Sequence, residues 1–210
     1  MGQKHERLQR YWNNDLYSKD HAIWGHNPSM AAEYLVEELK SIFRTPKLLD
    51  LGCGYGRNSI FFSVNGCDVV GVDFSEAAIT DARSYATHTS ISYFVGDIFN
   101  LPFDESNFDV VFCNFVIHWY TLDEIKECLD EIYRVLIPGG ILCLGIPKFL
   151  ETLEHADNDI IFQYKNTILS KSHLSELLGD YKKVRLKEAT EQHTHGSEHL
   201  HELLIVLAYK

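Results

Sequence analysis

Apolar residues follow two rhythms along this chain. Five short runs, Lys47 to Leu51, Asp68 to Asp73, Ile91 to Val95, Phe108 to Asn114 and Ile141 to Ile146, are nearly continuous in Leu, Ile, Val, Phe and Cys. Such runs mark strands buried on both faces, as in a parallel sheet. Between them the period changes to three or four. From Pro28 to Phe43 the apolar positions are Ala31, Ala32, Leu35, Val36, Leu39, Ile42 and Phe43, an amphipathic helix that Ser29 or Asn27 can cap and Thr45-Pro46 stops. Asp123 to Leu136 repeats the pattern with Ile125, Cys128, Leu129, Ile132, Tyr133 and Leu136. Shorter helices are expected from Arg57 to Asn65, closed by Gly66, and from Glu76 to Thr87, capped by Ser75. A helix from Ser172 to Leu178 follows, ended by Gly179. Two extended runs, Tyr181 to Ala189 and Leu200 to Tyr209, are joined through Thr190 to His199. Alternating β/α units with an appended hairpin predict a layered α/β domain.

The first strand runs directly into Gly52-Cys53-Gly54-Tyr55-Gly56-Arg57-Asn58. Alternate glycines after a buried strand predict a sharp turn whose backbone can approach a ligand closely. A dinucleotide loop wants Gly-x-Gly-x-x-Gly or Ala. Counted from Gly52, the third position is Arg57; counted from Gly54, it is Ser59. Asp73 stands at the end of the next strand, 21 residues after Gly52. There an open α/β sheet places a carboxylate against ribose hydroxyls, although the same Asp would also cap a helix.

The block Asp50-x-Gly52-x-Gly54-x-Gly56 resembles the first motif of class I S-adenosylmethionine (SAM) dependent methyltransferases. Leu136-x-Pro138-Gly139-Gly140 ahead of the fifth strand resembles a later block of that family. The resemblance implies a Rossmann-like class I methyltransferase fold: a mostly parallel seven-stranded sheet, its last strand antiparallel, with helices on both faces. It implies one domain over 1–210, with a lid and helical segment at 1–44, a SAM-binding core at 45–146, and a substrate-side insertion and hairpin at 147–210. It places Asp50, Gly52, Cys53, Gly54, Gly56, Asn58, Asp73 and Phe74 along the cofactor, Asp97 and Ile98 at the adenine, and Asn114 beside the sulfonium. Tyr11, Trp12, Tyr17 and Trp24-Gly25-His26-Asn27-Pro28-Ser29 resemble the N-terminal lid of small-molecule methyltransferases, including the thiopurine type; Tyr11, Trp24 and Ser29 are its lid candidates. Gly56-Arg57-Asn58-Ser59 is similar to the tellurite-resistance and thiopurine-like branch. In the stretch after Asn114, His118 and Tyr120 are the proton acceptors on offer, or members of a packed aromatic cluster. The implied activity is methyl transfer from SAM, leaving S-adenosylhomocysteine (SAH), to an O, N, S or metalloid nucleophile. A non-catalytic SAM-binding module and an NAD-binding Rossmann oxidoreductase are the alternatives; Arg57 and Pro138-Gly139-Gly140 weigh against the latter.

Composition narrows the partners. The 210 residues are 45% hydrophobic and 23% charged, with a formal net charge of −11. These are globular values, and the acidity disfavours nucleic acid, leaving a small-molecule substrate as the expected partner. No run approaches the ~20 apolar residues of a membrane span, and the N-terminus has no signal-type apolar region, so a cytoplasmic location is expected. Cys53, Cys67, Cys113, Cys128 and Cys143 show no Cys-x-x-Cys pair and read as reduced, buried thiols. His193, His195, His199 and His201 have a spacing that a zinc site or a soft or anionic substrate could use. No acid or thiol cluster completes a shell, so no metal ligand is assigned.

Overall fold

The computed structural model describes residues 10–17, 24–87, 90–148, 169–193 and 199–210. After a π-helical turn, Tyr11–Leu16, come α1 (Met30–Leu39), β1 (Lys47–Leu51), α2 (Arg57–Val64), β2 (Asp68–Asp73), α3 (Glu76–Tyr85), β3 (Ser92–Val95) and β4 (Phe108–Asn114). A single 3-10 turn at Ile117–Trp119 leads into α4 (Leu122–Val135), β5 (Leu136–Pro147), α5 (Lys171–Leu177), β6 (Lys183–His193) and β7 (His199–Tyr209). The strands form one seven-stranded sheet in the order β3-β2-β1-β4-β5-β7-β6. The pairs among β1 to β5 are parallel, and β7 runs antiparallel to both of its neighbours. The expected topology is therefore the observed one.

Because side chains alternate along a strand, each strand feeds two cores. Leu49, Leu51, Val111, Cys113, Leu142 and Leu144 pack with the apolar stripe of α4, namely Ile125, Cys128, Leu129 and Ile132. Leu48, Val69, Val110, Phe112, Ile141 and Cys143 pack on the other face with Ala31, Ala32 and Leu35 of α1 and Phe62 of α2. All five cysteines are free and buried. Among the described residues no helix is long and apolar enough to cross a membrane.

Element ends depart from the periodicity where local polar groups intervene. The first helix stops at Leu39 rather than Phe43: the Ser41 hydroxyl donates to the Glu38 carbonyl, and Ile42 is left exposed. The third ends at Tyr85 rather than Thr87. Pro138-Gly139-Gly140 is not a turn ahead of β5 but a bulge inside it. The step from Phe108 to Val110 on β4 is matched by that from Leu136 to Ile141, and a Cβ at Gly140 would sit 2.9 Å from the Ile137 carbonyl. The hairpin strands run further than expected, because pairing continues through Glu191↔His201 to His193↔His199. Residues 149–168 of the expected substrate-side insertion lie outside the described residues, as does His195.

α4 begins with a reciprocal cap: the Thr121 hydroxyl accepts from the Glu124 N–H while the Glu124 carboxylate accepts from the Thr121 N–H at 2.7 Å. Thr121→Ala is expected to lower unfolding stability by about 1 kcal/mol in a urea titration. An unchanged midpoint would mean that the cap contributes nothing.

Candidate functional site

The site is assembled where β1, β2, β3 and β4 end on the same edge of the sheet. Leaving β1, the chain turns over the tip of β2, and the N–H groups of Gly52 and Cys53 donate to the Val72 carbonyl at 2.7 and 3.1 Å. Gly52, Gly54 and Gly56 adopt φ of +73°, +55° and +84°, left-handed conformations that only glycine holds without strain. The space beside the loop is closely walled: a Cβ on Gly52 would meet a Val116 methyl at 2.3 Å, and one on Gly54 the Tyr17 hydroxyl at 2.8 Å.

This turn lays the loop against Asp73. The Gly54 N–H donates to one carboxylate oxygen of Asp73 at 2.9 Å, and the Ser75 N–H to the other at 2.8 Å. Burial pushes the Asp73 carboxyl up to about 6, opposed by these backbone donors. Phe74 follows, half-buried, and Ser75 caps α3.

Asp50 is also buried, but it faces α2 and accepts from the Ser59 hydroxyl at 2.5 Å. Burial pushes its carboxyl up to about 7. A carboxylic acid raised in the folded state binds its proton more tightly there than in the unfolded chain. Its contribution is therefore most favourable below about pH 4 and is lost as pH rises towards about 7. Asp50→Asn is expected to flatten the decline of stability between about pH 4 and 7. Parallel stability–pH curves for the two proteins would remove Asp50 as its source.

Asp97 and Ile98 follow β3. The Asp97 carboxylate accepts from the Phe99 N–H at 3.1 Å, and Ile98 is buried. At the end of β4, the Asn114 side-chain oxygen is buried without a hydrogen-bond partner among the described residues, and so is His118 Nδ1. A Cβ on Gly145, opposite Asn114 on β5, would lie 1.7 Å from that oxygen, so glycine is what admits the amide. Phe115 sits at φ +56°, held by its N–H on the Gly145 carbonyl at 2.8 Å, and this reverses the chain into the Ile117–Trp119 turn.

Burial pushes the His118 imidazole down to about 3, so the ring is neutral at ordinary pH. The Tyr120 phenol is pushed well above its usual value, chiefly by burial, and its ring packs edge-on to Phe99 at 5.1 Å. Of these two proton acceptors, the structure leaves Tyr120 as a protonated phenol and His118 with a buried ring nitrogen, Nδ1, that has no hydrogen-bond partner among the described residues.

The lid candidates divide. Tyr11 is buried and packs edge-on against Trp12. Trp24 donates its N–H to the Tyr55 hydroxyl at 3.0 Å, and Ser29 caps α1. Asn58, expected along the cofactor, turns its side-chain oxygen to the Ser29 N–H at 2.9 Å.

Two aromatics of the lid stretch that were not among its candidates, and one residue that the sequence reading passed over, are drawn in. Tyr17 reaches Gly54, and Trp12 packs edge-on to Trp119 at 5.6 Å. Glu191, from the far strand β6, meets Arg57. The residues Tyr11–Leu16 that carry Trp12 form a π-helical turn, a phase that the sequence pattern does not announce. The backbones of His193, His199 and His201 lie in the hairpin; their side chains are outside the described set.

Comparison with known proteins agrees with this geometry. A family model described as a methyltransferase domain matches residues 49–144. Malonyl-[acyl-carrier protein] O-methyltransferase of Enterobacter lignolyticus is 30% identical over 148 residues, 66% of this chain and 56% of that protein. Demethylmenaquinone methyltransferase of Clavibacter sepedonicus is 35% identical over 100 residues, 46% of this chain and 40% of that protein. The chain thus spans about half the length of the curated relatives it matches. Magnesium protoporphyrin IX methyltransferase from Synechocystis, solved with bound SAM, superposes with a TM-score of 0.71 at 16% identity, covering 100% of this chain and 99% of that one.

A glycine loop laid on a buried carboxylate at the switch edge of a parallel sheet defines a nucleoside-binding α/β domain. Residues 49–144 thus form a methyltransferase domain, and the sheet around them has the fold of class I SAM-dependent methyltransferases. The relatives named above do not point to the tellurite-resistance branch.

Proposed function

We propose that this chain transfers the methyl group of SAM to a small-molecule nucleophile held between the tip of β4 and the N-terminal aromatics. The observation that carries this reading is the bond between the Gly54 N–H and Asp73, which joins a side-chain-free cradle to a carboxylate with lone pairs still available. That pair fits a nucleoside with an amino-acid tail. Asp73 would accept from the ribose hydroxyls, Gly52 and Gly54 would bound the tail, Asp97 and Ile98 would meet the adenine, and Asn114 would stand beside the sulfur. SAM, when bound, supplies an electrophilic methyl on a sulfonium.

The chain's own residues align the acceptor and limit water. The Trp12, Tyr17 and Trp119 rings form a wall above the glycine loop. The neutral His118 nitrogen accepts a hydrogen bond from an acceptor O–H or N–H and so orients its lone pair. With its basicity lowered by burial, His118 positions a proton better than it removes one. A thiolate or another soft anion needs no base.

Two measurements test this reading. SAM and SAH, but not NAD, are expected to raise the melting temperature. Isotope-labelled SAM offered with thiols, amines, phenols, selenite, tellurite and a malonyl thioester is expected to label one of these acceptors. SAH binding with no labelled acceptor would favour a non-catalytic module, and stabilisation by NAD alone would overturn the family-based reading of the pocket.

A further inference from the structure

Arg57, Asn58 and Glu191 are tied together by a feature that the methyltransferase reading does not use. Three side chains from the stretch that completes the glycine turn reach the same short segment, residues 24–29. The Tyr55 hydroxyl accepts from the Trp24 N–H at 3.0 Å and donates to the Gly25 carbonyl at 2.7 Å. One guanidinium nitrogen of Arg57 donates to the carbonyls of Trp24 and Asn27, both at 3.1 Å. Asn58 accepts from the Ser29 N–H at 2.9 Å. The other guanidinium nitrogen of Arg57 lies 3.6 Å from the Glu191 carboxylate, with side chains only 10% and 7% exposed, and Glu191 also accepts from the Met30 N–H at 3.4 Å.

We infer that Arg57 and Glu191 form a latch that fastens the 24–29 segment to the glycine turn, making both of them positioning residues for the ligand held there. The guanidinium suits a latch because it is planar and always charged, with donors that diverge toward two carbonyls and a carboxylate at once. Glu191 supplies the fixed end, because it stands on the edge strand β6 and is carried by the hairpin pairing with β7. The Tyr17 ring, close to Gly54, lies just ahead of this segment in the chain. Releasing the latch would therefore free the return leg of the aromatic wall while leaving Asp73 and the glycine backbone in place. The effect on ligand binding rests on the proposed SAM site, whereas the effect on the segment itself does not.

Glu191→Gln keeps the shape and the acceptor for Met30 but removes the charge; Arg57→Lys keeps the charge but removes the fork. Hydrogen exchange at the Trp24, Ser29 and Met30 amides of the ligand-free protein is expected to speed up at least tenfold in both variants. Amides in β1 and β4 should keep their wild-type rates, an outcome that general destabilisation would not produce. SAH affinity by calorimetry is expected to fall about tenfold in each variant. The Arg57→Lys/Glu191→Gln protein should bind no more than a few-fold more weakly than the worse single variant, because the two act as one unit. If Arg57→Lys does not fold, Glu191→Gln alone decides the exchange result. Unchanged exchange at all three amides, or losses that multiply to a hundredfold, overturns the latch. If the wild type fails to bind SAH, the site reading fails, and the ligand-free exchange experiment still tests the latch.

Discussion

Asp73→Ala is expected to weaken SAH binding by at least tenfold, measured by calorimetry at pH 7.5, while leaving a cooperatively folded protein. A hydrogen bond to a charged group contributes about 1.5–3 kcal/mol, and loss of even one such bond to a ribose hydroxyl reaches tenfold. At that pH the Asp73 carboxyl, raised only to about 6, is mostly ionised and ready to accept. The fold meets two opposed effects. Alanine leaves the Gly54 and Ser75 N–H groups without their acceptor, at about 1–3 kcal/mol each, but it also removes a buried charge whose desolvation the raised pKa records. Affinity is therefore expected to change more than stability. Wild-type affinity in Asp73→Ala would dismiss the ribose role, and with it the proposed orientation of the nucleoside.

The second large effect is expected at Gly56. Its φ of +84° disfavours any side chain, and a Cβ there would lie 2.4 Å from the Tyr93 hydroxyl and 3.2 Å from the Ala82 methyl. A non-glycine residue in the left-handed region costs about 1–3 kcal/mol, and overpacking a filled core a similar amount. Gly56→Ala should then lower the melting temperature by about 5–15 °C at the ~2–4 °C per kcal/mol typical of a domain this size. Tyr93→Phe offers a partial rescue, because it removes the nearest clashing atom, a buried hydroxyl with no hydrogen-bond partner among the described residues. The backbone part of the penalty should persist in the double variant. Full rescue would mean that φ is not the obstacle, and a fully stable Gly56→Ala would contradict the tightness of the turn.

Each carboxylate at the site illustrates how far pattern reading reaches. Asp73 was locatable because strand length and the βαβ unit place a residue about 20 positions past the first glycine at the neighbouring strand tip. Asp50 belongs to the same motif, yet its partner is Ser59, one helical turn into α2, so the side chain faces the helix. Asn58 was expected beside the cofactor by resemblance; its neighbour in space is Ser29, and that contact depends on where α1 packs. His118 and Tyr120 looked equivalent as acceptors until burial separated them, lowering the basicity of one and keeping the proton on the other.

From the order of residues alone came the strands, the amphipathic helices and the glycine turn, all governed by short-range periodicity and by φ values that one residue type tolerates. The mostly parallel sheet with its antiparallel last strand was what the resemblance to methyltransferase motifs implied. Folding in three dimensions set Tyr17 beside Gly54, absorbed Pro138-Gly139-Gly140 into β5, and brought Glu191 from the edge strand β6 to Arg57. Those outcomes depend on contacts between segments far apart in the chain, where helix phase, strand register and burial act together and no local repeat records the result.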